Sequence, residues 1–222
     1  MAFPSMVDDP YCRTAERVTA TVGHVTMGLL CLCLTGRPAQ AESLPAESMP
    51  TDEQIGTVQV YLSEPQARTR IFPDATHFER RVHMIDSTAR AETSERLGRR
   101  VVDDSFAVYI ARGAQEELLG YAALTEEVGK YRPITFMVGV GADLSIQEVA
   151  VLVYRESRGG EVRRTRFLRQ YRGKDGEDPI RIDRDIINIT GATLSVRALN
   201  YGVRKTLALT ELIYRDPLTS RR

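Results

Sequence analysis

The chain has 222 residues, 30 basic residues balance 30 acidic ones, and 42% of it is hydrophobic. That length suits one compact domain with an N-terminal appendage, and a net charge of zero supplies no long-range field to draw in nucleic acid or an anionic membrane. Cys12, Cys31 and Cys33 are the only cysteines, so the chain beyond them can hold no disulfide framework, cysteine nucleophile, iron–sulfur cluster or thiolate metal site.

Residues 18–34 form a mostly apolar run, preceded by Arg13 and Arg17 and followed by Ala39-Gln40-Ala41. A basic flank, a short apolar core and a small-x-small site predict a secretory signal peptide over residues 1–41, cleaved after Ala41. The alternative is an uncleaved anchor made by residues 18–34. That run contains Thr19, Thr21, His24 and Thr26 and falls short of the ~20 apolar residues that span a bilayer. On either reading the domain is delivered across a membrane, which makes it extracytoplasmic and, after cleavage, periplasmic. Residues 42–54, with Pro45 and Pro50 and no apolar period, read as a tether. Residues 55–215 read as the folded domain and 216–222 as a polar tail.

Ser63-Glu64-Pro65 predicts a helix start, with a capping hydroxyl, an acid in the first turn and an early proline; Pro73 ends that helix near Phe72. A second helix is predicted from Asp86 to Leu97, closed by Gly98. From Phe106 the apolar period becomes two, with Phe106, Val108 and Ile110 on one strand face. Further strands are predicted over 119–124, 134–140 and 146–154, and Gly141-Ala142-Asp143 predicts a hairpin between the last two. Residues 161–172 return to helical spacing, with Val162, Leu168 and Tyr171 as the buried stripe and Gly173 as the stop. A short strand is predicted over 180–182. A long helix is predicted from about Ser195 to Tyr214, with Val196, Leu199, Val203 and Leu207 on its buried face. Strands joined by short turns and flanked by helices predict an α+β domain with a mainly antiparallel sheet.

The chemically informative stretch is Thr190-Gly191-Ala192-Thr193-Leu194-Ser195, just before that last helix. Two small residues let a bulky ligand approach the backbone, and a helix N-terminus favours a phosphate through its free N–H groups and its dipole. Taken alone, Thr193 or Ser195 serves equally well as an ordinary helix cap.

Thr190-Gly191-Ala192-Thr193 resembles the attachment motif of the FMN-binding domain family, the family of the flavin-carrying subunits of sodium-translocating NADH:quinone reductase and of the Rnf complex. Three further stretches are similar to the family and come in its order: Gly129-Lys130-Tyr131-Arg132-Pro133-Ile134 with Val138-Gly139-Val140; 151–156 ending in Glu156, then Gly159; and Phe167-Leu168-x-Gln170-Tyr171-x-Gly173-Lys174. The resemblance implies FMN as cofactor, esterified to Thr193 by a flavin transferase. Thr190, Gly191, Ala192, Leu194 and Ser195 would surround it, Ser195 would be the fallback acceptor, and Glu156 with the 157–160 loop would line the flavin ring. It implies an electron carrier with a membrane-bound or periplasmic redox partner. The alternatives are the flavin subunit of a multi-chain reductase, or a non-redox binding protein that kept the fold. No Ser-His-Asp set, nucleotide-binding glycine fingerprint or paired carboxylates argue for turnover by this chain itself. The family places an acidic residue six positions before the modified threonine. Here that position is Ile187, with Asp183 and Asp185 nearby but out of register.

Two other features stand apart. Arg163, Arg164, Arg166, Arg169, Arg172 and Lys174 make the segment around 161–172 strongly basic, either a solvated face or a dock for an acidic partner. His77 and His83 lack metal-site spacing.

Overall fold

The computed structural model describes residues 58–215; the predicted signal peptide, tether and polar tail lie outside the described residues. Local chemistry sets the first two helices. In α1 (Glu64–Ile71) the Ser63 hydroxyl accepts the Gln66 N–H while the Gln66 side chain accepts the Ser63 N–H, a reciprocal cap that satisfies two orphan donors. In α2 (Ser87–Leu97) Asp86 caps the Ala89 N–H at 2.8 Å, and Gly98 ends the helix in the left-handed region.

Six antiparallel strands make one sheet: β1 (Gln59–Val60), β2 (His77–Met84), β3 (Ser105–Arg112), β4 (Leu118–Val128), β5 (Pro133–Gly141) and β6 (Ile146–Tyr154). Strands β2 to β6 follow one another as an up-and-down meander, and β1 joins the far edge beside β6. Alternation along β5 divides the core. Phe136, Val138 and Val140 pack on the face covered by α4 (Thr193–Tyr214), whereas Met137 packs with Ala67, Ile71 and Phe72 of the α1 layer on the other. Val196, Leu199, Val203 and Leu207 of α4 are all buried, as the helical period requires. The fold is therefore α+β, with an antiparallel sheet and a long C-terminal helix.

Within α4, Lys205 Nζ lies 2.7 Å from Glu127 Oε1 of β4 and 3.1 Å from Asp103. Burial lowers the proton affinity of that ammonium, but the two carboxylates outweigh it and hold Lys205 charged. Arg204 instead donates to the carbonyls of Arg96 and Leu97 at the end of α2. Both residues thus serve the helix packing, away from the opening of α4.

Several elements differ from the sequence-based expectation. Residues 161–172 are not one helix but a 3₁₀ turn (Gly160–Arg163), a single α-turn α3 (Thr165–Leu168) and another 3₁₀ turn (Arg169–Tyr171), broken by extended backbone at Arg164. Val162, Phe167, Leu168 and Tyr171 are all buried. On a continuous helix, Val162 and Phe167 would point roughly 140° apart, so the chain must break to bury both. The strand expected at 180–182 is a turn with one isolated bridge, Ile182 to Ile186. Ile180 and Asp183 sit at φ 44° and 64°, which no strand tolerates. Helix α4 begins at Thr193 rather than Ser195, with Ala192 as its cap residue. Strand β2 has no counterpart in the sequence-based expectation, because as an edge strand it carries Glu79, Arg80 and Arg81 in place of an apolar alternation.

His83 of β2 shares a 2.7 Å hydrogen bond with the Tyr214 hydroxyl, and Tyr214 stacks on Tyr121 with ring centroids 4.1 Å apart. Burial, helped by the charge of Arg81, pushes the His83 imidazole below its ordinary value. A histidine depressed in the fold stabilises it above the unfolded value of about 6.5, and that contribution is lost as pH falls through the folded value. The urea midpoint of the wild type is expected to fall more than that of His83→Gln between about pH 7.5 and about pH 5. Parallel pH profiles for the two proteins would invalidate this role.

Candidate functional site

A cleft of about 760 Å³ lies where three segments meet: Lys130–Tyr131 in the β4–β5 turn, Glu156–Arg158 after β6, and Gly191–Ser195 at the start of α4. Its size falls within the range of small-molecule and cofactor pockets.

Gly191 adopts φ +83°, a conformation that turns the chain into α4 and that side chains rarely accept. A Cβ on Gly191 would meet nothing within 4 Å, so its glycine answers to the backbone conformation and not to a neighbour in the protein. Ala192 is buried and caps α4 with no side-chain hydrogen bond. The opening N–H groups of α4 are therefore left without a side-chain acceptor, the arrangement that binds anions at helix N-termini. Thr193 is the first helical residue, half-buried in the cleft wall, and its Oγ1 accepts 2.9 Å from Asn188 Nδ2. Leu194 is exposed and lines the cleft, whereas Thr190 is exposed but stands outside its wall.

Ser195 differs in kind. It is 5% exposed, and its Oγ lies 2.8 Å from the Tyr154 hydroxyl. Tyr154 donates to the Arg158 carbonyl at 2.5 Å, which leaves Ser195 as the donor to Tyr154. Burial pushes the Tyr154 phenol up, with the Ser195 hydrogen bond opposing it, so Tyr154 stays a neutral donor. Gly159 makes this closure possible: at φ +89°, a Cβ there would stand 2.7 Å from the Tyr154 hydroxyl and 3.2 Å from the Ala192 Cβ. The loop after β6 is thereby seated directly on the Ala192–Ser195 turn.

Glu156, expected at the flavin ring, lines the cleft but is 6% exposed. Its Oε1 accepts the N–H groups of Lys130, Tyr131 and Arg132 at 2.6, 2.7 and 3.0 Å. One carboxylate oxygen thus fixes the whole β4–β5 turn and holds Lys130 and Tyr131 at the cleft mouth. Lys130 Nζ sits 4.6 Å from the Tyr131 ring centroid, a cation held over its neighbour's π-face.

Ile187 is 78% exposed, and its N–H donates to Gln170 Oε1 at 2.7 Å. The nearby acid Asp185 is committed elsewhere. It accepts the N–H groups of Ile180 and Arg181 and lies 2.9 Å from Lys174 Nζ. Burial raises the Asp185 carboxyl, but those two N–H groups and the ammonium outweigh it and hold the group below the usual carboxylate range. Asp185 therefore braces the 180–185 turn and does not stand in for the carboxylate that Ile187 lacks. Among the described residues no group of three or more His, Cys, Asp and Glu side chains is arranged to hold a metal.

Tyr154, Asn188, Lys130 and Arg158 complete the site; the sequence places Arg158 in the 157–160 loop expected along the flavin ring and gives the other three no role. Lys130 and Tyr154 lie inside the stretches that carry the family resemblance. Asn188 is five residues before Thr193 and belongs to no motif, and nothing in the sequence marks it.

Residues 129–208 match the family model described as FMN-binding domain. No curated protein matches the chain. Among solved structures, the chain is similar to a subunit of the Na⁺-translocating NADH-quinone reductase from Parabacteroides distasonis, at 15% identity and a TM-score of 0.45 over 72% of this chain and 88% of that one. The matched stretch of the family model contains all three segments that wall the cleft. The small-residue turn, the uncapped start of α4, the Thr193 hydroxyl and the two cations of the cleft fit a phosphate-bearing flavin, the cofactor named by the family model that residues 129–208 match.

Proposed function

We propose that the protein is an extracytoplasmic electron carrier that holds FMN through a phosphoester on Thr193. The observation that carries this reading is the position of the Thr193 hydroxyl, at the uncapped N-terminus of α4 and in the wall of a cofactor-sized cleft. Electron exchange is supplied by the bound flavin; the chain's own residues bind and orient it. Asn188 donates to Thr193 Oγ1, so the hydroxyl keeps its own proton and points a lone pair away from Asn188. Transfer from a flavin dinucleotide would form the bond from Oγ1 to the FMN phosphorus as the donor's pyrophosphate P–O bond breaks, and the hydroxyl proton would leave with the departing nucleoside monophosphate. The first N–H groups of α4, whose dipole favours negative charge, would hold the phosphate. Lys130 and Arg158 supply further positive charge in the cleft wall. Tyr131 and Leu194 offer apolar surface for the ring system.

In this reading the signal peptide routes the domain outward, where it meets a membrane-bound or periplasmic redox partner. One intact-mass measurement tests the proposal, on protein exported from cells that co-express a flavin transferase. The expected mass is that of the chain from Glu42 plus one FMN less one water, together with a flavin absorbance band that survives denaturation. An exported chain of unmodified mass with no flavin band would defeat it and favour a non-redox binding protein.

A further inference from the structure

We propose that the arginine-rich segment beside the cleft is an electropositive collar that docks an acidic face of the protein exchanging electrons with the flavin. This inference rests on the electron-carrier reading and adds the chemistry of the partner. The stretch from Arg158 to Arg172 holds six arginines and one acidic residue, Glu161, in a chain whose net charge is zero. Two of the six are engaged: Arg172 pairs with Glu148 at 3.1 Å, and Arg163 lies 4.5 Å over the Tyr61 ring. Arg158, Arg164, Arg166 and Arg169 are exposed and make no ion pair among the described residues.

Both ends of this stretch are fastened to the flavin loop. At one end the Arg158 carbonyl accepts the Tyr154 hydroxyl, which in turn holds Ser195. At the other, Gln170 Oε1 accepts the Ile187 N–H. The free arginines are therefore fixed along the border of the 187–195 loop instead of being spread over the surface. Inside that border, Leu194 and Tyr131 are 45% and 37% exposed. An apolar centre with a charged rim is the layout of a protein–protein interface. Guanidinium groups suit bidentate pairing with carboxylates. The break of 160–171 into three short turns removes the long amphipathic helix with which a chain lies on a membrane surface.

The test compares wild-type holoprotein with the triple variant Arg164→Glu/Arg166→Glu/Arg169→Glu, which leaves the cleft residues untouched. A milder triple, all three to Gln, guards against misfolding, and both are checked by thermal midpoint. Fluorescein-labelled poly-L-glutamate needs no flavin to bind, so it reads the collar even if no flavin is loaded. Its affinity is expected to fall at least about tenfold in the Glu variant and by less in the Gln variant. Equal affinity in all three proteins would overturn the collar, as would tighter binding to vesicles of phosphatidylcholine and phosphatidylglycerol than to poly-L-glutamate. On holoprotein, the photoreduced flavin is reoxidised by ferricyanide, an anion, or by hexaammineruthenium(III), a cation, each taking one electron. At low ionic strength the ferricyanide rate is expected to drop about tenfold in the Glu variant, with the hexaammineruthenium rate rising. Unchanged rates with both oxidants would mean that the collar does not serve the flavin, and would overturn the docking role even if poly-L-glutamate binds.

Discussion

Replacing Thr193 by alanine is expected to abolish covalent flavin completely, while Thr193→Ser retains it and Ser195→Ala leaves it at the wild-type level. The three outcomes follow from where the hydroxyls stand. Thr193 is the first residue of α4 and half-buried at the cleft, so its Oγ1 is the hydroxyl within reach of a phosphate resting on the helix N-terminus. Ser195 is two residues further on, 5% exposed, with its hydroxyl given to Tyr154. Freeing it for attack would cost a buried hydrogen bond, about 1 kcal/mol, and would uncover the turn that Gly159 closes. The Ser195→Ala change therefore appears as a small loss of stability and not as a loss of flavin. Fluorescence of the denatured protein in a gel reads all three variants at once. A fluorescent Thr193→Ala band would remove Thr193 from its assigned role.

The elements that can be read from sequence are those whose chemistry is local. Ser63 with Gln66 and Asp86 with Gly98 mark helix ends within a few residues, and both helices lie where those signals put them. Strand β3 is legible because it buries a face at period two, and β5 and β6 because they are short, nearly continuous apolar runs buried on both faces. What escapes is decided by partners distant in sequence. Strand β2 exists because its backbone pairs with β3 in register from His77↔Arg112 to Met84↔Ser105, although its side chains are largely charged. The 161–172 segment has helical composition, but the places of Val162 and Phe167 in one core forbid a single helix there.

The same division runs through the site. The turn at Gly191 and Ala192 and the start of α4 are legible, since small residues before an apolar period announce a helix entrance. The bonds that hold this turn in place are not. Tyr154 reaches Ser195 across 41 residues, and Gln170 reaches Ile187 across 17. The arginine run is visible as composition, but only these two tethers show that it borders the cleft.

Glu156 is the residue whose loss is expected to cost the fold most. A single buried oxygen accepts three consecutive N–H groups, those of Lys130, Tyr131 and Arg132. Hydrogen bonds to a charged acceptor are the stronger kind, and a donor buried without its partner bears the full desolvation cost. In Glu156→Ala the turn must either leave those N–H groups unsatisfied or open to water. The expected destabilisation is about 3 kcal/mol, which lowers the thermal midpoint by roughly 6–12 °C in a domain of this size. Glu156→Gln keeps an acceptor oxygen but loses the charge, so its cost is expected to be about half as large. The β4–β5 turn also carries Lys130 and Tyr131 into the cleft wall, so non-covalent FMN should bind more weakly to Glu156→Ala than to Glu156→Gln. The pairing of the two readouts is the discriminating feature. A carboxylate that only touched the flavin would weaken FMN binding without moving the midpoint of the apoprotein. One that braces the turn moves both, and an apoprotein midpoint unchanged by Glu156→Ala would show that the turn stands without it.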